Sequence, residues 1–487
     1  MINGELTKPF EAAKGLRQGD PISPFLFAIA MEYLSRLLRG LKHRKEYRYH
    51  PRCGKLDITH LSFADDLLLF ARGDCKSITT LHACFMQFSA ASGLLANLNK
   101  SAIYFGGVAQ DTKQEILQKT GYSLGELPFK YLGIPLDTKK LTAMQWQPLI
   151  DRIVAKITSW TARKLSYAGR IQLVQTVIFG IQSYWSQIFI IPAKVMSLIE
   201  SYCRSYIWSG ANTITKRALI AWDRMCLPKS AGGYNLLNIK IWNRAAISKT
   251  YWDLAKKKDR MWAKWIHTYY IKGQRIMEMD IPQQASWMVR KIIEAREIMQ
   301  QLPTAYLNQS SIKQIYLGML GNHSKVTWRT LMFHNEARPK ARFTMWMQCH
   351  GRLMTADRLA NWGIQISTRC CLCNEADESP THLFCECSFT KAVWGRLMQW
   401  LRIQVSPNHT YTQMMAWITT QAKGKSCAAR VMKMVYAEHI YGIWRERNSR
   451  IFEEISRTTE QVAREVPCVC NVRAQGGMRA KLQQLMF

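Results

Sequence analysis

The sequence predicts an α+β protein built from several units: strand pairs with helices first, then a mostly helical region, then a small Cys/His-rich unit. Three observations carry this. Residues 1–138 hold short apolar runs broken by turn residues, apolar residues recur at helical spacing from about residue 140, and five cysteines fall between Cys370 and Cys387. With 487 residues the chain is long for one domain, and roughly two to four units are expected. The expected divisions are 1–138, 139–325, 326–402 and 403–487.

In the first division, GLRQGDPISPFLFAIAMEYL (residues 15–34) places Pro21 and Pro24 near the start of an apolar helix. Gly15 and Gly19 just before it would let a backbone pass close to a ligand. LDITHLSFADDLLLFARG reads as two strands with a tight turn at its centre. A helix through LHACFMQFSAASG follows and should end at Gly93. LPFKYLGIPL, residues 127–136, reads as another short strand pair, closed by Pro135.

The second division turns helical. Ile150, Ile153, Val154, Ile157 and Trp160 follow the i, i+3, i+4, i+7 spacing of one apolar face. A further helical run from Ile171 to Ile191 carries Gln172, Gln175, Gln182 and Gln187, too many for a membrane span. Between Lys139 and Lys272 there are 22 basic residues against 5 acidic ones. Tryptophans are interleaved: Trp160, Trp185, Trp208, Trp222, Trp242, Trp252, Trp262 and Trp265. Tryptophans at helical spacing are more often core than platforms for bases. The basic excess favours a surface that tracks a phosphate backbone over a plain solvated face. Residues 273–325 are polar and less patterned. The Cys/His unit and a basic helical tail, with IWRERNSRIF, complete the chain.

The charge balance narrows the partners. Lys plus Arg total 67 against 34 acids, a formal net charge of +33. Such a surplus strains a compact fold by self-repulsion unless a polyanion neutralises it, and nucleic acid is the obvious one. Clustered cysteines without a signal peptide point to metal and a reducing compartment, not to disulfides. No apolar run approaches the length of a membrane helix. The expectation is an intracellular protein of nucleus or cytoplasm, not secreted and without a membrane partner.

Two constellations carry chemistry. The first is Asp65-Asp66 within Phe63-Ala64-Asp65-Asp66-Leu67. Adjacent carboxylates among apolar residues are costly unless a cation neutralises them. A turn between two strands would hold them where divalent metals can coordinate, as two-metal phosphoryl transfer requires. Alone, the string fits a surface hairpin with an Asp-rich turn better. The second is Cys370, Cys373, His382 and Cys387, spaced C-x2-C-x8-H-x4-C. Four N/S ligands suit tetrahedral zinc in a structural role. Cys371 and Cys385 leave some ambiguity, Cys385 being the rival to Cys387 as fourth ligand.

Taken in order, these segments resemble the non-LTR (LINE-type) reverse transcriptases of plant type. Residues 15–27 resemble their template- and nucleotide-contacting motif, and FADD their palm turn. GLLANLNKS (93–101) resembles the next palm motif, and LPFKYLGIPL the primer-grip strand pair. WTARKLSYAGRIQLV, IAWDRMCLPKSAGGYNL and WNRAA resemble the helical thumb-like region. RFTMWMQCHGRLMTADRLANWGI with the Cys/His unit resembles the zinc-binding domain that follows it. The resemblance implies a partial polymerase palm with an antiparallel sheet, a helical thumb and a small zinc domain. It implies Mg²⁺ or Mn²⁺ on Asp65 and Asp66, and Lys100 near the nucleotide phosphates, where it could act as general acid. Arg17, Gln18, Gly19 and Asp20 would meet nucleotide and template, and an RNA template and a DNA primer or target would be the partners.

The pattern departs from the family at one point. A third acid is expected upstream of GLRQGD in a D-x-x-K-A-F-D segment, and only Glu5 and Glu11 precede Gly15. The expectation is an N-terminally truncated polymerase remnant, without fingers and with little or no activity as written. Two other readings compete: a nucleic-acid-binding zinc protein without chemistry, and a maturase-like splicing factor. The oligomeric state is left open.

Overall fold

The structure, a computed structural model, describes residues 19–161, 165–257, 259–303, 311–404 and 410–485. The chain forms two compact units. One joins Met1–Gln145 to Tyr251–Arg296; the other joins Trp146–Thr250 to Glu297–Phe487.

In the first unit, α1 (Ser23–Gly40) opens with Pro24 in its first turn, where the missing N–H costs nothing. It buries Leu34 and Leu38, while Phe25 and Ile29 stay 68% and 66% exposed. Against it packs α2 (Cys75–Ser92). Asp74 caps α2 by accepting from the Ser77 amide at 2.8 Å, and Gly93, at φ +74°, closes it as the sequence predicts. Leu81, Cys84, Phe85 and Phe88 form its buried stripe. Burial of one such leucine or phenylalanine stabilises the fold by roughly 1.5–3 kcal/mol. Tyr47 joins this core and donates its hydroxyl to the Phe70 carbonyl at 2.7 Å.

The strands β1 (His60–Phe63) and β2 (Asp66–Leu69) form the expected antiparallel hairpin, with Phe63 opposite Asp66. Period-two alternation sends Leu67 and Leu69 onto the α1–α2 core. His60 ties the hairpin to α1, its Nε2 lying 3.0 Å from Ser35 Oγ. β3 (Ala102–Ile103) and β4 (Ser123–Leu124) pair in parallel across α3 (Gln110–Thr120), whose Ile116 is fully buried. β5 (Phe129–Tyr131) and β6 (Ile134–Leu136) make the second hairpin. Its turn residues Leu132 and Gly133 have φ of +51° and +79°, the pair of left-handed conformations that suits strand twist. Pro135 does not close this pair as expected. It lies inside β6 opposite Lys130, which a two-stranded ribbon tolerates because one edge needs no amide.

The late segment of this unit, with a helix at Met261–Ile266 and a π turn at His267–Ile271, docks on residues 52–55. Trp265 Nε1 donates to the Arg52 carbonyl at 2.7 Å, and the Lys55 amide donates to the Tyr269 hydroxyl at 3.1 Å. The Arg52 guanidinium meets the Tyr270 hydroxyl and lies over that ring.

The second unit is helical. Gln147–Thr161 buries Ile150, Ile153, Ile157 and Trp160, the stripe read from spacing. Tyr167–Leu173 and Phe179–Ile188 join through one π-helical turn, so the second helical run is near-continuous but ends at Ile188. Trp146, Trp185 and Phe189 cluster with centroids 5.5–6.0 Å apart. Along the whole chain Trp160, Trp185, Trp208 and Trp222 are buried and Trp242, Trp252, Trp262 and Trp265 half-buried, so these rings serve as core. Residues 273–325, polar in sequence, also contain helices: Trp287–Glu294 in the first unit and Ile312–Leu320 in the second.

Two of the motifs have plain structural reasons. In WNRAA, Asn243 donates to the Ser186 and Phe189 carbonyls at 2.9 and 2.7 Å and accepts from the Ile191 amide at 2.9 Å. It thereby satisfies the frayed end of the Phe179–Ile188 helix. In SAGGYNL, a Cβ on Gly233 would stand 1.8 Å from the Leu227 carbonyl oxygen, so no larger residue fits. The neighbouring Gly232 carbonyl accepts from Trp346 Nε1 at 2.8 Å and lies 2.7 Å from His350 Nε2.

The region read as a basic tail is the centre of this unit. Helix Cys427–Phe452 buries 15 residues, including Glu438, Glu446 and Arg447. It packs against Pro339–Cys349 and Thr459–Arg473. No described helix is long and apolar enough to cross a membrane.

Candidate functional site

The carboxylates of the first hairpin occupy its tip. Ala64 and Asp65 form a two-residue loop, and Asp66 begins β2. Ala64 has φ +49°, a left-handed conformation that costs an alanine about 1–2 kcal/mol. Such stored strain clusters at functional turns. Asp65 and Asp66 are both exposed, and neither joins an ion pair among the described residues. Tyr131 on β5 has its hydroxyl pushed up, first by burial and then by the Asp66 carboxylate. The second hairpin therefore lies within electrostatic reach of the first.

The remaining predicted residues of this region are less gathered. Lys100 is exposed at the end of a 3-10 turn, Leu98–Lys100, capped by Asn97. It makes no ion pair with Asp65 or Asp66 among the described residues. Gly19 has φ +88°, and Asp20 accepts from the Ile22 amide at 3.0 Å, an Asx turn that starts α1. Arg17 and Gln18 lie outside the described residues.

The second constellation converges. Single ligand atoms of Cys370, Cys373, His382 and Cys387 all lie within 4.8 Å of one another. The Cys370 and Cys387 sulfurs are 4.0 Å apart, and Cys373 Sγ is 3.3 Å from His382 Nε2. Zinc–sulfur and zinc–nitrogen bonds of about 2.3 and 2.0 Å require ligand separations of roughly 3.5–3.8 Å around a tetrahedron. The donor set comes within about 1 Å of that spacing at its widest pair.

Local structure explains the convergence. The knuckle turns on Asn374 at φ +58°, whose amide donates to the Cys370 carbonyl at 2.9 Å. The Glu375 amide points at Cys373 Sγ from 3.5 Å, a donor that stabilises a thiolate. His382 and Cys387 bracket a single π turn, so they face the same way although four residues separate them. The Cys370 thiol is pushed down to about 4, first by its hydrogen bond with Cys387, whose own thiol is pushed up by the same bond. Cys371 turns away toward the Arg447 carbonyl and burial pushes its thiol up to about 11. Cys385 is buried outside the ligand set, and burial pushes its thiol up too.

Sequence reading missed the support beneath this site. Glu378, between the two ligand pairs, is buried and meets Arg447 of the Cys427–Phe452 helix at 2.8 Å, while also accepting from the Ala356 amide at 2.7 Å. Arg450 donates to the carbonyls of Cys371 and Leu372 at 3.0 and 3.1 Å. Glu446 holds Arg450 and Arg457 at 2.9 and 2.8 Å. IWRERNSRIF carried a charge pattern but no hint of these distant partners.

Both constellations lie inside segments that match known families. Residues 1–136 match the family described as reverse transcriptase (RNA-dependent DNA polymerase), and residues 311–394 match zinc-binding in reverse transcriptase. Among curated relatives, the 149 kDa protein of transposon TX1 from Xenopus laevis is 23% identical over 49% of this chain and 18% of its own length. The retrovirus-related Pol polyprotein from the type-2 retrotransposable element R2DM of Drosophila melanogaster is 32% identical over 27% of this chain and 13% of its own. An Arabidopsis thaliana protein, named provisionally as a ribonuclease H protein, is 25% identical over 29% of this chain and 23% of its own. The chain spans less than a quarter of the length of each of these relatives.

Proposed function

Because the chain belongs to the reverse transcriptases of non-LTR retrotransposons, with their C-terminal zinc-binding domain, we propose that it is the palm, thumb and zinc-bearing portion of an RNA-directed DNA polymerase. The observation that carries this is the hairpin tip with Asp65 and Asp66, within electrostatic reach of β5, inside the matched segment. Residues 1–138 would supply palm and primer grip, 139–325 the thumb and connection, 326–402 the zinc domain and 403–487 the helices that brace it.

In this reading RNA template and DNA primer are held by the basic surface, chiefly through phosphates. Asp65 and Asp66 would hold Mg²⁺ or Mn²⁺, which when bound activates the attacking hydroxyl and offsets charge on the leaving group. Gly19 and Asp20, with Arg17 and Gln18, would line the nucleotide's approach. Lys100 would sit near the phosphates as a point charge and proton donor. Zinc on Cys370, Cys373, His382 and Cys387 would be structural, since four protein ligands leave no open position.

The resemblance calls for a third acid in a D-x-x-K-A-F-D segment, and neither Glu5 nor Glu11, the acids before GLRQGD, lies in one. The expected outcome is that they bind primed RNA template but do not extend the primer by themselves. Primer extension with Mg²⁺, with Asp65→Ala as the control, tests this. Extension abolished by that substitution would show a palm working without another acid in cis, and the inactive reading would fall. Binding without extension leaves the zinc-containing nucleic-acid binder, the alternative that involves no chemistry.

A further inference from the structure

Away from both constellations, the second unit carries a pocket of about 230 Å³ whose charged lining residues are all basic. Arg329, Phe333, His334, Gly424, Lys425 and Lys433 line it. Lys433 rises from the Cys427–Phe452 helix and is only 2% exposed. Its ammonium donates to the Gly424 carbonyl at 2.8 Å. Lysine is almost never buried this far without an acid, because its full charge and three donors need partners. Among the described residues neither Lys433, Lys425 nor Arg329 has an ion pair. Glu336, close on the same helix's flank, is already held by Arg430. Burial, then Arg430, holds the Lys433 ammonium below its usual range, a cost that a bound anion would offset.

The rim adds a second chemistry. Phe333 is 41% exposed beside the cations. A cation cluster with one exposed ring is how sequence-tolerant sites take a phosphate and stack the adjoining base. A duplex keeps its bases inside and has no use for that ring.

We infer that this pocket receives a backbone phosphate of single-stranded RNA, donated to by Lys433, Lys425 and Arg329, with the adjoining base stacked on Phe333. The inference rests on the reading of the chain as a nucleic-acid-binding protein.

The test is fluorescence anisotropy of the zinc-loaded 487-residue chain with a labelled oligo-uridine of about twelve nucleotides. Arg329→Gln with Lys425→Gln is compared with wild type and with a surface double change that removes the same charge, Lys391→Gln with Lys481→Gln. Both pocket cations are exposed, so the double variant carries little folding risk; Lys433→Met and Phe333→Ala follow. The double variant should bind roughly tenfold more weakly, and its log–log salt slope should fall by roughly 0.7 for each phosphate no longer neutralised. Phe333→Ala should weaken binding about fivefold or more without changing that slope. Wild-type binding with an unchanged slope and affinity in the double variant would overturn the pocket alone. Equal losses in the surface double variant would also overturn it. No RNA binding by wild type would overturn the nucleic-acid reading beneath it.

Discussion

Removing Arg447 should loosen the zinc knuckle from a distance. In the native structure its guanidinium is 3% exposed and the Glu378 side chain 1%. Nε lies 3.1–3.2 Å from both carboxylate oxygens and Nη2 2.8 Å from one. Arg447→Met leaves the carboxylate buried with the Ala356 amide as its remaining donor. An uncompensated buried charge of this kind costs about 3–5 kcal/mol. Replacing both partners by apolar residues, Arg447→Met with Glu378→Leu, removes the orphaned charge and should recover at least about 2 kcal/mol. The Ala356 amide is then left without its acceptor, which limits the recovery by about 1 kcal/mol. Urea unfolding of the zinc-loaded chain followed by tryptophan fluorescence measures the stability. Competition with a colorimetric chelator measures zinc retention, which should fall in the single variant and partly return in the double. Additive losses in the double variant, or full zinc retention in the single one, would refute the argument.

Cys370→Ser should reduce bound zinc from about one ion per chain to about none by atomic absorption, whereas Cys385→Ser should leave it unchanged. Gly233→Ala should destabilise the second unit by about 3 kcal/mol in urea melts, because its Cβ meets the Leu227 carbonyl at 1.8 Å. His439 is buried and its imidazole is held down at about 3 against an ordinary 6.5. The folded state therefore refuses a proton that the unfolded state accepts, so this contribution is complete above pH 6.5 and is lost as pH falls toward 3. His439→Phe should show a flatter fall of the urea midpoint between those values than wild type. Ala64→Gly should raise stability by about 1 kcal/mol by relieving the left-handed alanine at the hairpin tip.

What the sequence revealed was local. The Asp65–Asp66 hairpin, the Gly93 stop and the Ile150–Trp160 stripe each follow from periods of two or 3.6 and from turn residues within a few positions. The convergence of Cys370, Cys373, His382 and Cys387 was legible for the same reason, since short spacings on a knuckle and one π turn allow few other outcomes. Partners far apart in sequence left no such trace. Glu378 and Arg447 are separated by 69 residues, and each reads alone as an ordinary surface charge. The Cys427–Phe452 helix read as part of a basic helical tail because its acids and bases, which pair inward, hide the apolar stripe expected of a core helix. The helices Trp287–Glu294 and Ile312–Leu320, of 8 and 9 residues, are too short for their period to stand out among polar flanks. The basic pocket around Lys433 depends on two chain segments about a hundred residues apart, so no window along the sequence contains it.

The route of the chain through the two units bears on how it comes off the ribosome. It leaves the first unit at Gln145, returns at Tyr251 and departs again after Arg296. The docking of Trp265 and Tyr269 on residues 52–55 therefore waits for more than two hundred residues to emerge. During that interval the hairpin with Asp65 and Asp66 stands on a platform that lacks its last layer, while early helices of the second unit await the Cys427–Phe452 helix. Neither half can be finished before the other is begun, a topology that lengthens the exposure of apolar faces during synthesis and raises the demand for chaperones. A cut at residue 138 or 145 would release an unfinished unit, even though every recognisable motif of the first matched segment precedes it.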